Sequence, residues 1–547
     1  MKLRQLAGPA VAMLLAGALA AGCAGTSAGG STSRATGAGS GTPVRGGKLV
    51  YLDYQAPYSF NFANLGYWQN QGIANQVLDR LVFVSPDGKS IRPWIAKSWT
   101  ISKDGLTYSF LIRSGVTYSD GTKLDAQNVK RNLEFRAFGD SEGNVRDSNL
   151  PAVTSVSADD SAQTVMVKLA KPYPYFLSQL GFLTEGLVSD RYFDLSYAEQ
   201  GKGPNLIGSG PFVIQSSSQT ETNLVKRSGY AWAPTGVSNQ GEAYLNSITI
   251  IPVQEGSVRE GTLESGQADL LHYIDPSAEA SAKKRGFQVI SQSYPDQVTY
   301  QLAVHANAPY LDDINVRKAM LIGIDRQKLV DTVYSSSYKA ATGLFGSAGP
   351  DYVDQSSALK YDPTEAARLL AESGWKLPAG GSGVRVNAAG KPLVVRALVD
   401  VYTVGAPAAF EFLQLELRKI GIDLQLNQVD YSNYPAAAKN PAIGLIYSGG
   451  GHEAAYTIAR AAALHGGDAF RLQGKDKLLE QLTSDVLYGD LTAAEQKARV
   501  ASLQSHIIDE AYVLPLTERT QTFAGRSDVH GFSELQSSPW FYLTWRG

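Results

Sequence analysis

A chain of 547 residues is too long for one compact core, and 44% hydrophobic with 18% charged residues is the make-up of a soluble globular protein rather than a disordered or fibrous one. A formal net charge of −2 without any basic stripe leaves no electrostatic basis for binding nucleic acid. The single cysteine rules out a disulfide within the chain and any cysteine-based metal cluster.

In chain order, the first readable segment is an export signal. Lys2 and Arg4 precede an uncharged run from Leu6 to Gly22, and the small residues Ala20, Ala21 and Gly22 lead into Cys23. The run is short for a bilayer span and diluted by Ala and Gly. Leu19 to Cys23 resembles the bacterial lipobox, with Ala20 where Leu is more usual. That resemblance implies that 1–22 is a signal peptide, and that Cys23 is acylated as the mature N-terminus and anchors the protein to the membrane. From Ala24 to Val44 the chain is mostly Gly, Ser, Thr and Ala with no aromatic residue, so 23–45 forms a flexible tether spanning on the order of 25 Å.

The body opens with a β-prone run, Lys48 to Leu52. Ser98 to Pro172 is rich in Thr, Tyr and Val with turn pairs at Asp104-Gly105 and Asp120-Gly121, which predicts strands and hairpins around one helix, Ala126 to Phe135. Asp312 or Asp313 caps a helix whose apolar face is Val316, Ala319, Met320, Gly323 and Ile324. Asp362, Pro363 and Glu365 form a second start signal, for a helix stopping at Gly374. A third helix carries Phe410, Leu413, Leu417 and Ile420 on one face, and the alternation from Ile422 to Leu426 marks a strand directly after it. Strands and helices alternate, the pattern of an α/β or α+β plan. Tyrosine, with 28 copies against 18 Phe and 7 Trp, suits surfaces where a ring stacks and a hydroxyl hydrogen-bonds.

Enzymatic motifs are weak. His452-Glu453 begins a zinc-protease signature, but position 456 is Tyr, and none of the six histidines (272, 305, 452, 465, 506, 530) has a partner one helical turn away. No serine beyond the tether is flanked by glycines two residues away on both sides, and no phosphate loop occurs. The reading is therefore of no catalytic residues, no metal site and no cofactor; a secreted hydrolase with scattered catalytic residues is the alternative of another class.

Several segments occur in a familiar order: Ile91 to Trp99, Asp104 to Arg113, Tyr118 to Gly121, Leu124 to Val129, Gly208 to Phe212, Val316 to Ala319 with Ile324 to Arg326, and Tyr361 to Pro363 with Gly374 and Trp375. From about Gly47 to its end the chain resembles the family 5 extracellular solute-binding proteins, the dipeptide- and oligopeptide-binding group of ABC importers. The resemblance implies an α/β, two-lobed periplasmic-binding-protein-like fold (type II, with an extra subdomain in lobe one) and a ligand cleft between the lobes. Lobe one is expected over 46–300, with the subdomain at about 98–205, lobe two over 301–516, and a return to lobe one over 517–547. The crossings fall at Thr299 to Val304 and Tyr512 to Leu516. The implied protein is a monomeric, lipid-anchored, extracytoplasmic binder that delivers a small-molecule ligand to ABC permease subunits. Trp94, Trp99 and Phe110 read as core, and Arg317 beside Asp325 as a structural charge pair.

By family position the ligand meets the loop Tyr67, Trp68, Gln69 and Asn70 from lobe one. From lobe two it meets Tyr402 and the segment Tyr447, Ser448, Gly449, Gly450, His452 and Glu453. In peptide binders the latter stretch reads Trp-x-Gly-Asp, and the Asp pairs with the peptide's ammonium group. Here Gly450 takes the Asp position, and the loop Val401 to Val404 lacks the arginine that grips a carboxylate in dipeptide binders. A zwitterionic dipeptide fits poorly, since a buried charge without its partner costs several kcal/mol. A longer or blocked peptide leads, with Glu453 free to take over the ammonium contact. An oligosaccharide is the alternative, and a metal chelate or opine-like solute stays open.

Overall fold

The computed structural model describes residues 41–547 apart from 67, 140–149, 151–152, 295–296, 401–402, 404, 431–432, 450–453, 464–468 and 473. Three sheets organise these residues. The largest has seven strands in the order Gln288–Ser293, Thr520–Gly525, Leu270–His272, Lys48–Asp53, Ser247–Pro252, Thr222–Lys226 and Phe212–Ser217. The second has five, in the order Asp423–Asn427, Val394–Leu398, Leu445–Ser448, Tyr300–Val304 and Val513–Thr517. A four-stranded antiparallel sheet, Ala96–Ile101, Thr107–Ile112, Thr164–Leu169 and Val153–Asp159, forms the subdomain. The chain leaves the first sheet after Ser293 and enters the second at Tyr300; it returns between Thr517 and Thr520.

Local chemistry sets the elements. Asp125 caps Ala126–Phe138 and Asp313 caps Ile314–Ile322, each accepting a hydrogen bond from a backbone N–H of the first turn. Asp362 accepts from Glu365 N, with Pro363 opening the helix Pro363–Glu372. The helix Ala406–Lys419 buries Phe410, Leu413 and Leu417 completely, each worth roughly 1.5–3 kcal/mol of transfer. Trp94 and Phe110 are wholly buried and Trp99 partly so. Arg317 pairs with Glu510 (Nη2 to Oε2, 3.3 Å) and not with Asp325, whose carboxylate instead accepts from Lys328 N to cap Arg326–Val333. The acid eight residues past the arginine is needed at the next helix start, and the arginine finds its partner far along the chain.

One glycine motif does positioning work. At Gly208 and Gly210 the backbone lies against the end of the helix Trp68–Val77: an added Cβ would stand 2.7 Å and 2.6 Å from the Val77 carbonyl carbon. The Val77 oxygen accepts from Gly210 N at 2.7 Å. Between the glycines, Ser209 Oγ donates to Asp79 Oδ2 at 2.9 Å, as does Trp232 Nε1 at 2.9 Å, while Tyr230 hydroxyl donates to Oδ1 at 3.3 Å. Burial pushes the Asp79 carboxyl up to about 6 against these hydrogen bonds. The motif thus seats the C-terminal end of the helix whose other end carries Trp68.

Candidate functional site

Parallel strands aim their carboxyl ends at one place from both lobes, the region where open α/β sheets bind ligands. In the first sheet Lys48–Asp53 runs parallel to Leu270–His272, and Tyr54 and Tyr273 follow their last residues. In the second, Val394–Leu398 runs parallel to Leu445–Ser448, which ends beside Gly449. Between them lies a cavity of about 310 Å³, at the small end of the ~300–1,000 Å³ usual for ligand sites. Its wall includes Tyr54, Trp68, Gln71 and Tyr273 from lobe one, and Tyr300, Tyr334, Tyr338, Thr403 and Tyr447 from lobe two. The return crossing, Thr517 to Thr520, and the hairpin turn Gln536-Ser537 close it.

Trp68 is the first residue of the helix Trp68–Val77, so the expected loop Trp68 to Asn70 is a helical turn. Its indole leans on His272 at 5.3 Å between centroids, and Nε1 lies 3.4 Å from His272 Nδ1. The buried imidazole is held by Asp53 (Nδ1 to Oδ1, 3.1 Å) and Gln521 (Nε2 to Oε1, 3.0 Å) and stacks between Tyr273 and Phe523. Tyr300 and Tyr447 stack at 5.4 Å, and Tyr300 hydroxyl donates to Asp400 Oδ2 at 3.3 Å. Burial pushes the Tyr54, Tyr273, Tyr300 and Tyr447 phenols above their ordinary range, so each stays neutral and able to donate.

Of the residues the sequence singled out, Trp68, Tyr447 and Gly449 line the cavity. Asn70 does not: its side chain accepts from Tyr58 N at 2.9 Å and donates to the Ser59 carbonyl at 2.8 Å, which fixes the chain ahead of the helix. Gln69 is buried and Ser448 ends its strand, neither on the wall. Tyr67, Tyr402, Gly450, His452 and Glu453, like Cys23, lie outside the described residues. Sequence reasoning missed Tyr54, Tyr273, Tyr300, Tyr334, Tyr338, Glu518 and Arg519. Tyr54, Tyr273, Tyr300, Glu518 and Arg519 sit at strand ends and crossings, which can be read only once the sheet order is known, while Tyr334 and Tyr338 follow the end of the helix Arg326–Val333.

Contacts flank the cavity from lobe to lobe. On one side Lys171 Nζ sits 3.2 Å from the Tyr488 ring centroid, Tyr175 and Tyr456 pack at 5.8 Å, and Gln496 Nε2 donates to Tyr175 hydroxyl at 3.1 Å. On the other, the buried Glu279 carboxylate accepts from Ser335 Oγ and Ser337 Oγ, both at 2.7 Å. The lobes are therefore closed. Such an arrangement can enclose a small solute, and closure changes the surface the two lobes present together.

The model of the bacterial extracellular solute-binding proteins, family 5 (middle region), matches residues 90–458. The nickel-binding periplasmic protein of Escherichia coli K12 is 25% identical over 465 residues, 82% of this chain and 85% of its own. The glutathione-binding protein GsiB of Salmonella paratyphi A is 26% identical over 388 residues, 70% of each chain. The solved structure of NikA from Brucella suis in complex with Fe(III)-EDTA shares the fold with a TM-score of 0.77 at 23% identity, covering 91% of this chain and 100% of that one. Two lobes, a cavity at their strand ends and the match across the middle of the sequence agree: the chain belongs to the family 5 bacterial extracellular solute-binding proteins.

Proposed function

We propose that the protein is the solute-capturing component of an ABC importer, tethered outside the membrane through a lipid on Cys23, and that it turns over no substrate. The observation that carries this reading is the 310 Å³ cavity closed between the lobes, with the return crossing in its wall. A short peptide is the leading ligand. Neutral phenols and the Gln71 amide offer the donors and acceptors that a peptide backbone uses, and glutathione, bound by a relative, is itself a tripeptide. A second reading, an oligosaccharide, draws on the indole of Trp68 and the six tyrosines of the wall, since rings stack on sugar faces. Mass spectrometry of the small molecule released on denaturing the purified protein tests the proposal. One solute per chain, returned unchanged after incubation, is the expected result; steady conversion of that solute by clean protein would replace the reading with an enzymatic one. Cys23→Ser is expected to release the protein from the membrane. A variant that stays membrane-bound would overturn the anchor.

A further inference from the structure

Lobe one carries a second hollow, away from the solute cavity. It is an open cleft of about 610 Å³ where the subdomain sheet meets the loop after the strand Thr222–Lys226. Lys97 and Arg113 line it from the subdomain, and Gly229, Ala231, Trp232 and Thr235 from the loop. Thr235 N donates to the Pro93 carbonyl at 2.9 Å and ties the two sides together. Two cations stand on this wall and no carboxylate does. Arg113 is held by its Nε, which donates to the Trp94 carbonyl at 3.1 Å. Its two Nη groups, like the exposed Lys97 ammonium, have no protein partner among the described residues. Cations on other faces differ: Arg131 meets Asp194 at 2.7 Å, and Arg368 is bracketed by Glu365 and Glu372. The acid beside the loop is already engaged, since Glu242 accepts from Gly229 N at 2.8 Å and pairs with Lys226 at 3.5 Å.

Backbone bonds fix where this cleft lies. Lys226 N donates to the Asn246 carbonyl at 2.8 Å and Asn246 N to that of Gly47 at 2.9 Å, so the loop leaves the sheet at the end where the tether enters it. Arg45 Nη1 donates to the Glu242 carbonyl at 3.1 Å, and the Glu242 side chain reaches Gly229 in the cleft wall, so a single residue links tether and cleft. From there the strand Lys48–Asp53 runs about 20 Å to Tyr54 on the solute cavity, which puts the two hollows at opposite ends of lobe one. Cys23 and Gly41 are 18 positions apart (41 − 23), a Gly- and Ser-rich stretch that spans on the order of 25 Å. We infer that the cleft receives the phosphate of an anionic lipid headgroup, so that lobe one rests on the membrane at its tethered end with the solute cavity turned outward. A guanidinium fork and an ammonium side by side are the donors that phosphate oxygens take. Two cations at an anionic surface favour the bound state on the order of 30-fold, too little to hold the protein without the lipid on Cys23. The contact orients what the anchor retains, and in this it rests on the reading of Cys23 as the anchor.

The test uses the full chain with Cys23→Ser, which cannot be acylated, and vesicles of phosphatidylcholine alone or mixed equally with phosphatidylglycerol. Co-sedimentation is expected to show on the order of 30-fold stronger partitioning onto the anionic vesicles, lost when the salt is raised. Adding Lys97→Gln should lower that preference about fivefold, and Lys97→Gln together with Arg113→Gln should remove it. Lys97 is exposed, so its single substitution decides the matter even if the double variant fails to fold. Equal partitioning onto both vesicles, or a preference unchanged by Lys97→Gln, would overturn the headgroup assignment. So would glycerol phosphate bound equally well in calorimetry without vesicles, which would make the cleft a site for a free anion. The anchor is read separately, from the intact mass of wild-type protein extracted from cells. A Cys23 without acyl chains would remove the anchor, and the vesicle comparison would still decide the cleft.

Discussion

Replacing Gly208 by Ala tests whether the glycine motif seats the helix that carries Trp68 to the cavity. The new Cβ would stand 2.7 Å from the Val77 carbonyl carbon and nearer still to its oxygen, where carbon atoms normally rest at about 3.5–4.0 Å. Either the helix Trp68–Val77 or the segment around Gly208 must yield by roughly 1 Å. Overpacking of this kind costs about 1–3 kcal/mol. The shift also strains the Gly210 N–H to Val77 carbonyl bond of 2.7 Å, worth about 1 kcal/mol. The expected loss is therefore about 2–4 kcal/mol in a urea denaturation curve followed by tryptophan fluorescence, with weaker ligand binding because Trp68 rides on the displaced helix. Gly261 is the comparison. It lies inside the helix Gly256–Glu264 with nothing within 4 Å of an added Cβ, so Gly261→Ala should gain about 0.5–1 kcal/mol. A Gly208→Ala protein within 0.5 kcal/mol of wild type would refute the steric reasoning.

Trp68→Ala should weaken ligand affinity by about 2 kcal/mol or more, roughly 30-fold, while costing less stability than the ~3–5 kcal/mol of a core tryptophan; calorimetry paired with a denaturation curve checks both, and unchanged affinity with a large stability loss would move the indole out of the site. Glu279→Ala removes both lobe-to-lobe serine hydrogen bonds without touching the cavity wall. It should disfavour closure by about 1–2 kcal/mol, read as a five- to thirtyfold loss of affinity together with a larger radius of gyration in small-angle scattering, and no change in either measure would count against a closing role. Burial pushes the Glu534 carboxyl up to about 8, against the hydrogen bond from Tyr294 hydroxyl at 2.5 Å. The folded protein thus holds a proton that the unfolded chain releases near 4.3, and Glu534 destabilises the fold increasingly as pH rises from about 4.5 to 8. Glu534→Gln should match wild type near pH 4 and exceed it by about 1–3 kcal/mol at pH 9; equal melting curves at both pH values would place the ionised group in water.

Much of the fold was legible because its signals are local. Asp125, Asp313 and Asp362 announce their helices by capping chemistry that needs no tertiary context, and the spacing of Phe410, Leu413 and Leu417 gives the buried face directly. The helix at Trp68 was not legible. Its polar residues are buried and bonded to distant backbone: Gln76 Nε2 donates to the Pro539 carbonyl at 2.7 Å, and Asn75 Nδ2 to that of Leu535 at 3.1 Å. With Gln and Asn on every face, the stretch shows no apolar stripe and reads as a loop. The site divides in the same way. Trp68 and Tyr447 were reachable through family position, whereas Tyr273, Tyr300 and Arg519 reach the cavity through strand order and the crossing, which no neighbouring residue encodes.

The strand Thr520–Gly525 enters the first sheet between Gln288–Ser293 and Leu270–His272, antiparallel to both. During synthesis these two wait with open edges while the whole of the second sheet is made. Lobe two is therefore the part that can finish first, although it is encoded later, and lobe one is completed last by the far end of the chain. Pairings between residues so distant close slowly, and unpaired edges are sites of mispairing while they wait. A chain cut after Leu516 would keep most of lobe two yet leave lobe one as a split sheet.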